Sequence, residues 1–248
     1  MYEGITDEDG RRTEQMGTNR LVKSMSLCAD DSCSTEVRVV VLRGASSWGA
    51  HQTGRIDLPH GTLAVAYDER EAPYVPGEQV LVSLTDEGDY LACAWAHHAR
   101  ESKKPSLVGV GVDLCSASDF EPRPGMERIT RLMFSNQEHA FARALCERGS
   151  LPGLPFAYAV LFGAKEAAFK ATAHPLRVWY AKHDENLEFE VRDFGMAGLE
   201  GNHGLERGEL RHGAAQLALD RMGIEHIDVT FEPIDHMALV VARAYSAR

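Results

Sequence analysis

Two stretches of this chain repeat one pattern at an offset of 147 residues (82 to 229): VSLTDEGDYLACAW at 82–95 and VTFEPIDHMALVVA at 229–242. Each reads as strand, polar five-residue turn, apolar strand, and the two align without a gap. An antiparallel hairpin buries one face only by packing against a second layer. Hairpins this far apart are not rungs of a solenoid, whose repeats run to about 20–50 residues. They suit an α+β fold of two related halves, each an antiparallel sheet packed against helices. Any two hairpins look alike, so the pattern gains weight only from what lies around it.

The surrounding chain divides accordingly. Residues 1–36 are polar without a sustained period and read as a disordered or loosely docked arm. Residues 37–106 form the N-terminal half: VRVVVLRG (37–44) is a β-branched run typical of a buried strand, GTLAVAYDE (61–69) a second strand, and 80–96 the first hairpin. HHARESKKPS (97–106) is a basic loop. Residues 107–248 form the C-terminal half, opening with the apolar strand SLVGVGVDLCS (106–116). Met126–Gly149 is predicted helical with a break at Ser135, because Ser135 and Glu138 have capping-box spacing. A second helix is predicted from Pro155 to His174, closed by Pro175. WYAKHDENLEFEVRD (179–193) reads as two strands around a turn, and GAAQLALDRMG (213–223) as a helix with a glycine stop.

Composition excludes several functions. The formal net charge is −11, from 26 basic and 37 acidic residues; a surface that negative repels nucleic-acid phosphates and anionic membranes. No apolar run approaches the ~20 residues of a membrane helix, and the N-terminus lacks a signal-peptide pattern. The five cysteines (28, 33, 93, 115, 146) are odd in number and include no CxxC pair, which points to reduced thiols in the cytoplasm. Cys28 and Cys33 lack the second pair that zinc needs. Adjacent His97 and His98 point opposite ways on a strand, and His139 and His174 sit on helices, where local hydrogen bonding is the plainer role. GVGVDL lacks the third glycine of a dinucleotide fingerprint.

Two features carry chemistry. In the helix, Phe162, Glu166 and Lys170 fall at i, i+4 and i+8 on one stripe, flanked by Lys165 and framed by small residues. A lone E-x-x-x-K is ordinarily a solvated pair; alanines around it allow close approach of another element. Asp113 lies inside an apolar strand, where a carboxylate is costly unless paired or bound to a cation. The bland alternative is a strand-end aspartate capping a loop. Gly109 and Gly111 leave room for a backbone or ligand. Hard oxygens for a divalent cation and ammonium groups for developing charge are what phosphoryl transfer uses.

GVD at 111–113 followed by FGAKEAAFKA at 162–171 resembles the 4′-phosphopantetheinyl transferases. Their signature is a Gly-x-Asp strand and a Trp/Phe-x-x-Lys-Glu-x-x-x-Lys helix. The first hairpin matches the position of the serine–histidine hairpin of the larger, pseudo-dimeric, surfactin-synthetase-activating branch. FEVRDFG and GAAQLALDRMGIEHIDVTF look like the holo-acyl-carrier-protein synthase branch. The resemblance implies transfer of 4′-phosphopantetheine from coenzyme A to a serine of an apo acyl or peptidyl carrier protein, releasing 3′,5′-ADP. It implies Mg²⁺, or Mn²⁺, held by Asp113 and Glu166, with Glu166, Lys170 and Lys165 catalytic. Lys165, Lys170, Thr85 and Asp86 would stand at coenzyme A. Because Asp86 brings a negative charge where the family has histidine, the basic loop is expected to compensate with Lys103 and Lys104, and the arginine cluster of 119–148 to dock an acidic carrier. A chain with both hairpins would build the site internally, as a monomer.

The chain departs from the family pattern at three places. Cys115 stands where the larger branch has a second strand carboxylate, Thr85–Asp86 replaces serine–histidine, and Glu71-Ala72-Pro73 replaces Gly-Lys-Pro. These departures keep a second reading open: a degenerate relative that binds coenzyme A or a carrier without transfer.

Overall fold

The computed structural model describes residues 20–27, 35–45, 47–58, 61–77, 80–97, 106–149, 151–183, 187, 189–200, 206–211 and 215–246. The strands, in chain order, are β1 (Arg20–Leu27), β2 (Val37–Arg43), β3 (Arg55–Leu58), β4 (Gly61–Ala64), β5 (Ala66–Tyr67), β6 (Pro73–Tyr74), β7 (Val80–Glu87), β8 (Tyr90–His97), β9 (Leu107–Ser116), β10 (Gly195–Glu200), β11 (Glu206–Arg211), β12 (Ile224–Ile234) and β13 (Met237–Ser246). The helices are α1 (Ser47–Thr53), α2 (Met126–Met133), α3 (Asn136–Glu147), α4 (Leu154–Ala171), α5 (Ala173–Tyr180) and α6 (Gln216–Met222).

The strands form two larger antiparallel sheets, β1-β2-β8-β7 and β10-β11-β12-β13-β9, with helices outside them, which bears out the α+β expectation. The sheets face each other across a core that includes Val37, Val39 and Val41 of β2 and Leu239 and Val241 of β13. Alternate residues serve the outer layers. Val40 and Leu42 pack with Ala50 and Ile56 under α1 and β3, while Val240, Ala242 and Ala244 face α4. Both faces of β2 are covered, which is why it reads as a continuous apolar run. Lys23 of β1 pairs with Glu232 of β12 and ties the sheets at the rim.

The two hairpins share one register. Glu87 pairs with Tyr90 and Ile234 with Met237, at the 147-residue offset. Each turn therefore spans two residues, not the expected five, and its first residue has positive φ (Gly88 59°, Asp235 53°). The tips touch: the Tyr90 hydroxyl donates to Asp235 Oδ2 at 2.9 Å. Because strand pairing runs to Glu87, Thr85 and Asp86 are pleated strand residues with opposite orientations, not turn residues.

The capping box at Ser135 is present and separates α2 from α3. Gly223, in the left-handed region at φ 72°, ends α6. Several expectations are corrected. Residues 20–27 of the supposed arm form β1; residues 1–19 and 28–34 lie outside the described residues. Helix α4 stops at Ala171, and Pro175 falls in the first turn of α5, where its missing N–H costs nothing. Among the described residues of 179–193 there is no strand: α5 continues to Tyr180 and Val191–Asp193 is a 3-10 turn. Their alternation reflects tertiary burial, with Leu187 buried and Phe189 edge-on to Phe169 and Phe194. Helix α1 and the glycine-containing pair β10–β11 were not predicted.

Helix α4 lies directly on β9. A Cβ at Gly109 would stand 1.8 Å from the Ala171 carbonyl oxygen, and one at Gly111 1.8 Å from that of Ala167. The expected close approach is thus by backbone, and it fixes the helix stripe against the strand bearing Asp113.

Candidate active site

Asp113 sits on β9 between Val112 and Leu114, which face the inter-sheet core. Period-two alternation turns its carboxylate the other way, toward α4. It is 5 % exposed. Its Oδ1 accepts from Lys170 Nζ at 2.6 Å and from Thr85 Oγ1 at 3.1 Å. Lys170 also donates to Thr85 Oγ1 at 3.2 Å and lies 3.9 Å from Glu166 Oε2, one helical turn back. Asp113, Glu166, Lys170 and Thr85 therefore converge, drawn from β9, α4 and β7.

Burial pushes the Asp113 carboxyl above the ordinary range, against the pull of Lys170 and the Thr85 hydroxyl. Burial, then the Asp113 charge, raises Glu166 as well, with Lys170 opposing. Two partly desolvated carboxylates that disfavour each other's ionisation fit a divalent cation. Mg²⁺ is typically held by one or two carboxylates, with water and substrate phosphate completing its shell. Among the described residues no three His, Cys, Asp or Glu side chains form a metal-binding group; Asp113 and Glu166 are the two carboxylates that could hold such a cation here. Cys115 supplies no carboxylate there; burial, then the charges of Asp113, Asp119, Glu87 and Glu166, push its thiol up.

Other predicted contacts fall elsewhere. Lys165 is 2 % exposed and pairs with Glu138 Oε1 at 3.1 Å while donating to the Met133 carbonyl at 2.9 Å. It ties α4 to α2 and α3 and does not reach the carboxylate cluster. Its helical neighbours Leu161 and Ala168 are fully buried, so that side of α4 has no access to solvent. Asp86 is exposed, on the face of β7 opposite Thr85, and its charge is felt by Tyr67. Lys103 and Lys104 lie outside the described residues.

Glu87 was missed. Burial, then Asp119, Asp113 and Asp86, raise its carboxyl. Its alternation with Thr85 was the available signal. Glu71, at the family's glycine position, has φ 61°. This left-handed conformation costs a non-glycine residue about 1–2 kcal/mol. Asp68 Oδ1 offsets part of that by accepting from the Arg70 and Ala72 N–H groups, both at 3.0 Å. The same loop docks on α5, with Arg177 Nε 2.9 Å from Asp68 Oδ2 and Arg70 over the Tyr180 ring.

A family model described as the 4′-phosphopantetheinyl transferase superfamily matches residues 109–207, less than half of the chain but including Asp113, Glu166 and Lys170. The chain carries a domain of that superfamily. Comparison with curated proteins gives no match. Solved structures similar to this chain include a holo-acyl-carrier-protein synthase from Plasmodium yoelii, at 15 % identity and TM-score 0.41, covering 59 % of this chain and 100 % of that one. The Neisseria meningitidis holo-acyl-carrier-protein synthase is similar at 19 % identity and TM-score 0.39, covering 56 % and 98 %. The acyl carrier protein synthase of Mycobacterium tuberculosis is similar at 23 % identity and TM-score 0.37, covering 57 % and 99 %.

Proposed function

We propose that this protein transfers 4′-phosphopantetheine from coenzyme A to a serine of an apo carrier protein, in a Mg²⁺- or Mn²⁺-dependent reaction releasing 3′,5′-ADP. The observation that carries the reading is the convergence of Asp113, Glu166 and Lys170 inside the stretch matched by the superfamily model. A cation on the two carboxylates would neutralise diphosphate charge. Lys170, 27 % exposed, exchanges Asp113 for a phosphate oxygen and stabilises the departing nucleotide phosphate. Glu166, directly or through a water, takes the serine proton as the serine oxygen attacks the β-phosphorus and the bond to the nucleotide phosphate breaks. We further infer a monomer of two related halves, working in the cytoplasm; Cys93, Cys115 and Cys146 are free thiols, which suits a reducing compartment.

The test is incubation with coenzyme A, Mg²⁺ and an apo carrier, followed by weighing the carrier. The expected result is a gain of one phosphopantetheine. Cys115 in place of a carboxylate, and the altered hairpin at Thr85–Asp86, favour the second reading, a binder without transfer. Coenzyme A binding with no mass gain on any carrier would select it.

For the carrier's docking surface, the exposed side of α2 offers Ile129 (49 % exposed) and Leu132 (68 %) beside Arg128 and Arg131. Carrier helices are acidic, and apolar anchors beside arginines complement them. Reversing Arg128 and Arg131 to glutamate is expected to raise the carrier KM at least tenfold, about 1.4 kcal/mol, and leave the coenzyme A KM unchanged. An unchanged carrier KM would reject this surface.

A further inference from the structure

Strands β7 and β9 are edges of different sheets, yet side chains on one face of β7 reach across to β9. Ser83 Oγ accepts the Val112 N–H at 3.0 Å. Thr85, two residues on and 8 % exposed, sends its hydroxyl to Asp113. A threonine hydroxyl has one proton to give. Since Lys170 can only donate to it, that proton goes to Asp113 Oδ1. Two donors thus hold Oδ1, and Oδ2 lies on the α4 side, 3.4 Å from where a Cβ on Gly163 would stand. Glu166 is three residues further along α4, on the same face.

We propose that Thr85 is a positioning residue: by fixing the rotation of the Asp113 carboxylate it turns the second oxygen toward Glu166 and sets the affinity of the pair for a divalent cation. This rests on the reading above that Asp113 and Glu166 hold that cation. The resemblance placed this position against coenzyme A; its buried hydroxyl is instead spent on a carboxylate from the other half. Hydrogen-bond partners that orient a metal ligand typically contribute about 10- to 100-fold in metal affinity. A threonine that merely packs would contribute to stability alone.

The test titrates Mn²⁺ into the full chain, without coenzyme A or carrier, and follows free Mn²⁺ by electron paramagnetic resonance. Thr85→Val, which keeps the shape and removes the hydroxyl, is expected to weaken binding about 10- to 100-fold, and Thr85→Ser to stay close to wild type. Ser83→Ala cuts the same seam without touching Asp113; it should lower the thermal midpoint and leave Mn²⁺ affinity in place. Thr85→Ala repeats the test should the valine variant not fold. Tight wild-type binding that survives Thr85→Val, or equal losses in the Ser83 and Thr85 variants, would overturn the positioning role alone. A wild type that binds no Mn²⁺ at millimolar concentration would overturn the carboxylate-pair reading and this role with it.

Discussion

Asp113→Ala and Glu166→Ala are each expected to slow carrier modification by about a hundredfold or more, roughly 2.7 kcal/mol at 1.36 kcal/mol per tenfold. The carboxylates come from different elements and both face Lys170, so neither can stand in for the other. Stability should behave differently. Burying Asp113 opposes folding, and Lys170 is exposed enough to turn to water once its partner is gone. Thermal midpoints close to wild type, together with a collapsed rate, are the expected pair of results. Retention of more than about a tenth of the wild-type rate in either variant would show that the cation, if needed, is held elsewhere.

Lys165→Met is expected to act through stability. Its ammonium and the Glu138 carboxylate are each 2 % exposed and 3.1 Å apart. Removing one partner of such a pair strands the other charge in the interior, at a cost of about 3–5 kcal/mol. For a chain of this size that lowers the melting temperature by about 6–20 °C, at 2–4 °C per kcal/mol. Glu138 also accepts the Ser135 N–H at 2.8 Å in the capping box, so Glu138→Ala would confound two losses. Lys165→Met with Glu138→Gln keeps the cap, removes both charges, and should recover most of the lost stability. Differential scanning calorimetry of the two variants decides the matter. A Lys165→Met protein that melts like wild type but binds coenzyme A poorly would return Lys165 to the phosphate-binding role that the sequence suggested.

The contrast between Lys165 and Lys170 shows where reading a sequence stops. Both lie in the matched motif, and both were expected at the phosphates. Five residues of helix turn them to different sides: Lys170 toward the cluster, Lys165 between Leu161 and Ala168. A helical wheel drawn for the whole of α4 would have flagged Lys165 as lying on an apolar stripe. The partner was harder to see, because Glu138 already had a satisfying role as a cap. The close packing of α4 on β9 was legible, since glycines at 109 and 111 weaken a buried strand unless something packs into the space they leave. The cross-sheet contacts of Ser83 and Thr85 were not. Their hydroxyls suit an exposed or a buried face equally well, and only the meeting of two sheet edges gives them partners. β1 escaped notice for a related reason: an edge strand with largely exposed residues has the composition of a loop.

The position of β13 in its sheet has a consequence for how the protein is made. β13 lies between β12 and β9 and supplies the whole pairing partner of the strand that bears Asp113, from Ser116 opposite Met237 to Leu107 opposite Tyr245. Yet it follows every residue of the site in the chain. On the ribosome, β9, α4 and β12 emerge with that gap still open, so the five-stranded sheet cannot close until synthesis has passed residue 246. A premature stop before Val240, the residue opposite Asp113, would remove no member of the site and still leave Asp113 on an unpaired edge. The order of synthesis thus makes the emergence of β13 a precondition for assembling the carboxylate pair.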